Sequence, residues 1–303
     1  MISAPGKLFV IGEYAVVYGG PAVLVPTPQL AEVQITQDNQ DRLIISHSED
    51  RTLRLSEAWI EEPLLNALIT TLDCADQLAT LSMTLDTSQF YHDGQKLGLG
   101  SSAALTGALV TALRPDLRVD ERLSLGTAAH QRFQGGRGSG ADVALAVLGA
   151  PISFSKAEGP QMVELPQDLH MLAIWTCIPA STTNFLALVD SWKMQNEDRF
   201  DGHMRLLTTC AADFVAATEA TSMVNLIRQY NQYLHDFSKD SGVNFYNDPH
   251  IALQKEVESA RCAYKPSGAG GGDFGIAFSN DKDIITKLAE QMIEAGRTAF
   301  LIR

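Results

Sequence analysis

Nowhere in the 303 residues do eighteen apolar residues run together, so no membrane-spanning helix is expected. Basic charge is also scarce: 23 Lys and Arg stand against 36 Asp and Glu, a formal net charge of −13. That balance argues against a nucleic-acid face, because phosphate backbones select positive surfaces. A phosphorylated small molecule stays possible, since it needs only a few local donors. The four cysteines (Cys74, Cys177, Cys210, Cys262) are scattered, with neither paired nor metal-ligating spacing. They read as reduced thiols of a cytoplasmic protein. Met1 to Lys7 lacks a basic segment ahead of an apolar stretch, so no secretion signal is expected there. No G-x-S-x-G elbow, metal-like histidine spacing or Walker G-x-x-x-x-G-K-[ST] sequence occurs. Hydrolase and zinc-enzyme readings therefore start far behind, and the chain is not an ordinary P-loop protein. The expected partner is a small-molecule substrate, with no nucleic acid and no membrane, for a monomer or homodimer.

What is present is apolar enough, at 45% hydrophobic residues, for well-packed cores. The length favours two fused domains, 1–165 and 166–303. Strand patterning covers Lys7 to Val17 with a turn, then Ala22 to Val25, 31–37, 42–46 and 81–90. Helical spacing covers about 56–72, then Ala103–Leu113 (stopped by Pro115) and Arg122–Phe133, with a short apolar helix at Val143–Leu148. Strands follow at 152–155 and 171–178. The second half is mostly helical from Thr182 to His235. Asp248 is expected to cap a helix begun by Pro249 and running to about Ala263. The strand Phe274–Phe278, the helix Asp283–Ala295 and the strand Thr298–Ile302 then complete one half of a ferredoxin-like α+β sandwich.

Three glycine-rich elements carry the chemistry. In Leu97-Gly98-Leu99-Gly100-Ser101-Ser102-Ala103-Ala104, two glycines precede a helix and leave backbone N–H groups open where the helix dipole is positive. Two serines in the first turn add hydroxyls for a phosphate or a metal. The same residues satisfy G-x-G-x-x-G/A with Asp120 and Glu121 about 20 residues on, but Pro115 to Val119 supplies no apolar strand, so the dinucleotide reading fails on context. A tight serine-capped loop is the plain alternative. In Ser267-Gly268-Ala269-Gly270-Gly271-Gly272-Asp273, four glycines in five positions can build a concave nest of N–H groups suited to anions, or else a hinge. In Gly135-Gly136-Arg137-Gly138-Ser139-Gly140-Ala141-Asp142, a carboxylate stands where a helix begins, and capping alone would explain it.

Together these segments resemble the GHMP kinases. Ala4-Pro5-Gly6-Lys7-Leu8…Gly12-Glu13-Tyr14 is similar to the family's first motif. Gly98 to Ala104 is similar to its second, and Lys265-Pro266-Ser267 to Asp273 to its third. All three stand in the family's order and span the chain. The resemblance implies an α+β fold of two domains: one like ribosomal protein S5 domain 2, then a ferredoxin-like domain. It implies ATP and Mg2+ as cofactors, with Gly98, Leu99, Gly100, Ser101, Ser102 and Ala103 around the ATP phosphates and Ser102 as the metal hydroxyl. Lys7 would neutralise charge at the transferred phosphoryl group. Asp142 would accept a proton or hold Lys7 in place; both readings stay open. Glu13, Ser139, Ser181 and the loop Gly268, Ala269 and Gly270 are the implied contacts to substrate. Arg137 is a candidate for an acceptor phosphate, on equal terms with a solvated loop arginine, and Lys193 is a weaker candidate.

The stretch His130…Gln134-Gly135…Gly138-Ser139-Gly140-Ala141-Asp142-Val143 resembles the phosphomevalonate kinase branch of that family. Gln131 stands where mevalonate kinases carry a metal-binding Glu, and Gly138 where they carry proline. Ala15 to Val23 and the Ser-Ser-Ala-Ala of the second motif look more like mevalonate kinase. The expected reaction is transfer of the γ-phosphoryl group of ATP to phosphomevalonate. Mevalonate, another small alcohol or a sugar is the alternative acceptor, and a decarboxylase or a ligand sensor are further alternatives.

Overall fold

The computed structural model describes residues 1–47, 49–136 and 138–302. The chain divides into two compact units: residues 1–7 with 26–150, and residues 8–25 with 151–303. The paired strands β1 (Ile2–Ile11) and β2 (Ala22–Gln37) each contribute residues to both units. β1 stops short of the expected Val17 because Gly12 turns the chain with φ 95°, and Ala15–Tyr18 form a 3-10 turn.

The first unit continues through β3 (Arg42–Ser46), β4 (Asp50–Leu53), α1 (Leu55–Glu61), α2 (Pro63–Leu72) and β5 (Leu81–Asp86). A small hairpin of β6 (Tyr91–His92) and β7 (Gln95–Lys96) leads to α3 (Ser101–Leu113), α4 (Val119–Phe133) and α5 (Ala141–Leu148). Its strands lie in the order β4-β3-β5-β2. β3 and β5 are parallel, with Leu43 opposite Met83. A parallel pair needs a crossover, and α1 and α2 supply it. Their apolar faces (Leu55, Leu65, Leu68, Ile69, Leu72) share one core with Leu43, Ile45, Met83 and Leu85 of the sheet. The helix expected over 56–72 is thus two. Glu62 is extended (φ −88°, ψ 104°) because the Pro63 ring disfavours helical backbone in the residue before it. α4 begins three residues before Arg122, where the Glu121 carboxylate accepts from Arg118 N–H at 2.9 Å and caps the helix start.

In the second unit, β8 (Ile152–Ser155) pairs with β9 (Gly159–Met162) and with the start of β2, Leu24 opposite Ile152. There follow β10 (His170–Trp175), α6 (Thr182–Lys193), α7 (Glu197–Ala216), α8 (Ala220–Ser241) and α9 (Asp248–Ser259). β11 (Ala263–Ser267), β12 (Phe274–Ser279), α10 (Lys282–Glu294) and β13 (Ala299–Ile302) complete it. The long helical stretch from Thr182 is therefore three helices. The cap of α9 is Asn247, whose side chain accepts from His250 N–H at 3.2 Å; Asp248 is the first helical residue. The antiparallel order β11-β12-β10-β13 places the first strand in the middle beside the third and fourth, with helices after the first and third. That is the ferredoxin-like arrangement expected from the pattern of residues 248–302. Leu172, Ile174, Tyr264 and Ala277 of this sheet pack on Leu253 and Val257 of α9 and on Ile285 and Leu288 of α10. Among the described residues no helix is long and apolar enough to cross a membrane.

Candidate active site

In the first unit the opening strand and the central glycine loop touch along their backbones. Lys7 N–H donates to the Leu99 carbonyl at 2.9 Å. Only glycine fits at position 6: an added Cβ would sit 2.6 Å from Thr27 Oγ1, 2.7 Å from the Phe90 ring and 2.8 Å from the Leu99 oxygen. Gly100 has φ 79° and ψ 36°, the left-handed region, and opens α3 with no side chain capping its free N–H groups. The Lys7 stem lies across it, Cε 3.2 Å from where a Gly100 Cβ would stand. A half-buried ammonium-bearing chain is thus laid over the N-terminus of a helix. Positive potential from the dipole adds to that of the lysine, and both favour a polyanion.

The helices behind this loop converge on a second cluster. A Cβ on Gly107 of α3 would meet Ala146 of α5 at 2.9 Å, and one on Gly126 of α4 would meet the Val143 side chain at 3.2 Å, so the glycines let the three helices pack closely. At their shared end, Ser102 Oγ lies 3.1 Å from His130 Nε2. His130 is 4% exposed; burial lowers its pKa, and the negative charge of Asp142 opposes that shift. Asp142, half-buried in the first turn of α5, therefore belongs to the same cluster as Ser102. The Ser139 hydroxyl is engaged locally, accepting from Ala141 N–H at 3.2 Å. Arg137 lies outside the described residues.

The remaining candidates belong to the second unit. Glu13, expected at the substrate, is instead 4% exposed. Its Oε1 accepts from Lys265 Nζ and from Gly268 N–H at 3.3 Å. Lys265, wholly buried, also donates to the Pro266 carbonyl at 2.7 Å. Burial pushes the Glu13 carboxyl up and the Lys265 ammonium down, while each partner's charge opposes the shift. The physical reason for the inward turn is this pairing: a wholly buried lysine needs a counter-charge.

The loop 268–272 is tied at several points. Tyr14 OH donates to the Ala269 carbonyl at 2.6 Å, Gly271 N–H to Phe245 O at 2.7 Å and Asn247 Nδ2 to Gly271 O at 2.8 Å. His250 bridges Gly272 O (Nε2, 3.0 Å) and Tyr264 OH (Nδ1, 2.7 Å). A carbonyl can only accept, so Nε2 carries the proton and Nδ1 accepts from the tyrosine in the neutral ring. Burial lowers the pKa of this histidine to about 4. Among the described residues no hydrogen bond reaches the N–H groups of Ala269 and Gly270. Ser181 is exposed and caps α6, accepting from Asn184 N–H at 3.4 Å. Lys193 rests over the rings of Tyr18 and Phe200, 5.1 and 4.7 Å from their centroids, in cation–π contacts.

Three participants escaped the sequence reading. His130 and Lys265 stand inside recognisable stretches, yet nothing in their spacing says what they touch. His250 carries no local signal at all.

The GHMP kinases N terminal domain matches residues 75–150, which hold the central loop, His130 and Asp142. The phosphomevalonate kinase of Streptomyces sp. (strain CL190) is 28% identical, over 91% of this chain and 88% of its own. That of Saccharolobus solfataricus is 28% identical over 92% and 90%. The crystal structure of Streptococcus pneumoniae phosphomevalonate kinase in complex with phosphomevalonate and AMPPNP superposes with a TM-score of 0.82 at 19% identity, covering 99% of each chain, and shows a common fold. The chain thus carries the N-terminal domain of the GHMP kinases over residues 75–150, resembles phosphomevalonate kinases along most of its length and shares the fold of one of them.

Proposed function

We propose that this protein transfers the γ-phosphoryl group of ATP to phosphomevalonate, a step of isoprenoid precursor synthesis. The observation that carries the reading is the Lys7 side chain laid across Gly100 at the uncapped start of α3, with Leu99 pinned to the Lys7 backbone. Phosphoryl transfer asks mainly for positioning and charge neutralisation. Lys7 and the free N–H groups of Ser101 to Ala103 supply both to a chain of phosphates. The preference for phosphomevalonate over mevalonate rests on the two relatives at 28% identity and on the His130 to Val143 stretch.

Magnesium suits the donor set. Ser102 offers a hydroxyl and Asp142 a carboxylate, both hard oxygen donors, and a nucleotide-bound magnesium needs only one or two from the protein. When bound, the ion neutralises phosphate charge. In this reading Lys7 offsets charge growing on the transferred group, and Asp142 either takes the acceptor proton or steadies Lys7. An acceptor phosphate, largely ionised near neutral pH, makes little demand for a base.

The test is ATP consumption with magnesium on mevalonate and on 5-phosphomevalonate, side by side. Turnover confined to the phosphorylated acceptor is expected. Turnover confined to mevalonate would move the specificity signal to the first two motifs and overturn the acceptor named here.

A further inference from the structure

Tyr14 is held in a backbone conformation that its side chain disfavours. Its φ of 65° and ψ of −56°, with Ala15 N–H donating to Glu13 O at 2.8 Å, make a γ-turn with positive φ at the centre. That is the rarer and more strained of the two γ-turn forms, and glycine would be the easy choice. Strain of this kind persists only where the surroundings over-determine it. Here they do. Tyr230, wholly buried, donates its hydroxyl to Glu13 O at 2.6 Å, fixing the carbonyl that closes the turn. The Tyr14 ring packs on Phe245 and Phe237, at centroid distances of 4.7 and 5.8 Å.

The turn aims two neighbouring side chains at one target. Glu13 takes Gly268 N–H and Tyr14 gives its hydroxyl to Ala269 O, so two adjacent residues of the glycine loop are held from two adjacent residues of the turn. Phe245, against which Tyr14 packs, takes Gly271 N–H as well. These bonds use up the outer groups of the loop and leave the N–H groups of Ala269 and Gly270 without a bond among the described residues. A nest of adjacent N–H groups is an anion cradle only while its curvature is kept, and four glycines cannot keep it unaided.

We propose that Tyr14 is a positioning residue, whose γ-turn and hydroxyl set the 268–272 loop so that the N–H groups of Ala269 and Gly270 are presented to a phosphate. The proposal rests on the kinase reading for the identity of the anion, but not for the ordering of the loop.

The test compares Tyr14→Phe, which keeps ring and turn but loses the hydroxyl, with Tyr18→Phe, which lies four residues on and pairs with Asp190 away from the loop. Amide exchange of a peptide covering 265–273 is measured beside steady-state kinetics and the thermal midpoint. Tyr14→Phe is expected to speed exchange in the loop and lower kcat/KM by roughly fivefold to tenfold each, the factor one lost hydrogen bond carries. Its thermal midpoint should stay near that of the wild type, and Tyr18→Phe should change neither readout. Unchanged exchange in Tyr14→Phe overturns the proposal, as does a lowered midpoint with loop exchange untouched. A wild-type protein without kinase activity would sink the kinase reading alone, because the exchange comparison still decides the role of Tyr14.

Discussion

Ser102 Oγ lies 3.1 Å from His130 Nε2, joining the first turn of α3 to the last turn of α4. The pairing gives the serine hydroxyl one orientation and leaves its remaining lone-pair directions for an incoming ligand. Removing the orienting group around a ligating atom typically costs tenfold to a hundredfold in affinity or activity. His130→Ala is therefore expected to raise the magnesium concentration for half-maximal activity by roughly tenfold. Ser102→Ala should do at least as much, and the double variant should be little worse than Ser102→Ala alone. Simple addition of the two effects would show that the residues act separately.

The Glu13–Lys265 pair supports a prediction about stability. Both side chains are buried, at 4% and 0% exposure. Removing one partner of a buried pair strands the other charge, at a cost of about 3–5 kcal/mol. Glu13→Ala should lose that much in urea unfolding. The double change Glu13→Gln with Lys265→Met should recover a large part, because no buried charge is left over. A double variant as weak as Glu13→Ala would mean that loop contacts, rather than charge, carry the loss.

His250 gives stability a pH dependence whose sign can be worked out. Its folded pKa of about 4 lies below the ordinary 6.5, so the unfolded chain takes up the proton more readily. The contribution is fully present above pH 6.5 and is lost as pH falls through the window down to about 4. That difference corresponds to about 3 kcal/mol at 1.36 kcal/mol per unit. Unfolding free energies between pH 7 and 4 should fall more steeply for the wild type than for His250→Gln. Equal slopes would remove His250 as the cause.

How far the sequence alone reached follows from the range of the forces involved. Glycine before a helix, proline at a helix end and apolar spacing are local signals, and they located the central loop, α3, α5 and the ferredoxin-like half. The break at Glu62 was equally local, since Pro63 announces it, but the apolar spacing masked it. The inward turn of Glu13 was not legible, because its cause is Lys265, more than 250 positions away and brought near only by folding. For the same reason the sequence did not show why position 6 is glycine: Thr27, Phe90 and the Leu99 carbonyl leave no room for a side chain. Ser139 read as a substrate contact; the sequence did not show that its hydroxyl also accepts from Ala141 N–H, a short-range bond that a glycine-rich context conceals.

The separation of binding from chemistry can be tested at Lys7 and Asp142. Lys7 reaches the site by its side chain, while its backbone N–H holds Leu99; replacing the side chain leaves that bond in place. The loop and the N-terminus of α3 should therefore survive in Lys7→Ala and still bind nucleotide through their N–H groups. Charge stabilisation confined to the transition state is worth roughly a hundredfold to a thousandfold in kcat for a single lost donor. Lys7→Ala should thus lose at least that much turnover, with ATP affinity, measured by titration calorimetry, changed by less than about tenfold. Asp142→Asn keeps the size of the side chain and the start of α5 but removes the charge that His130 feels. If Asp142 steadies Lys7, the loss in Asp142→Asn should not add to that of Lys7→Ala. If it takes the acceptor proton, the two losses should multiply. Turnover near that of the wild type in either single variant would remove that residue from the chemistry and leave the central loop as an anion site only.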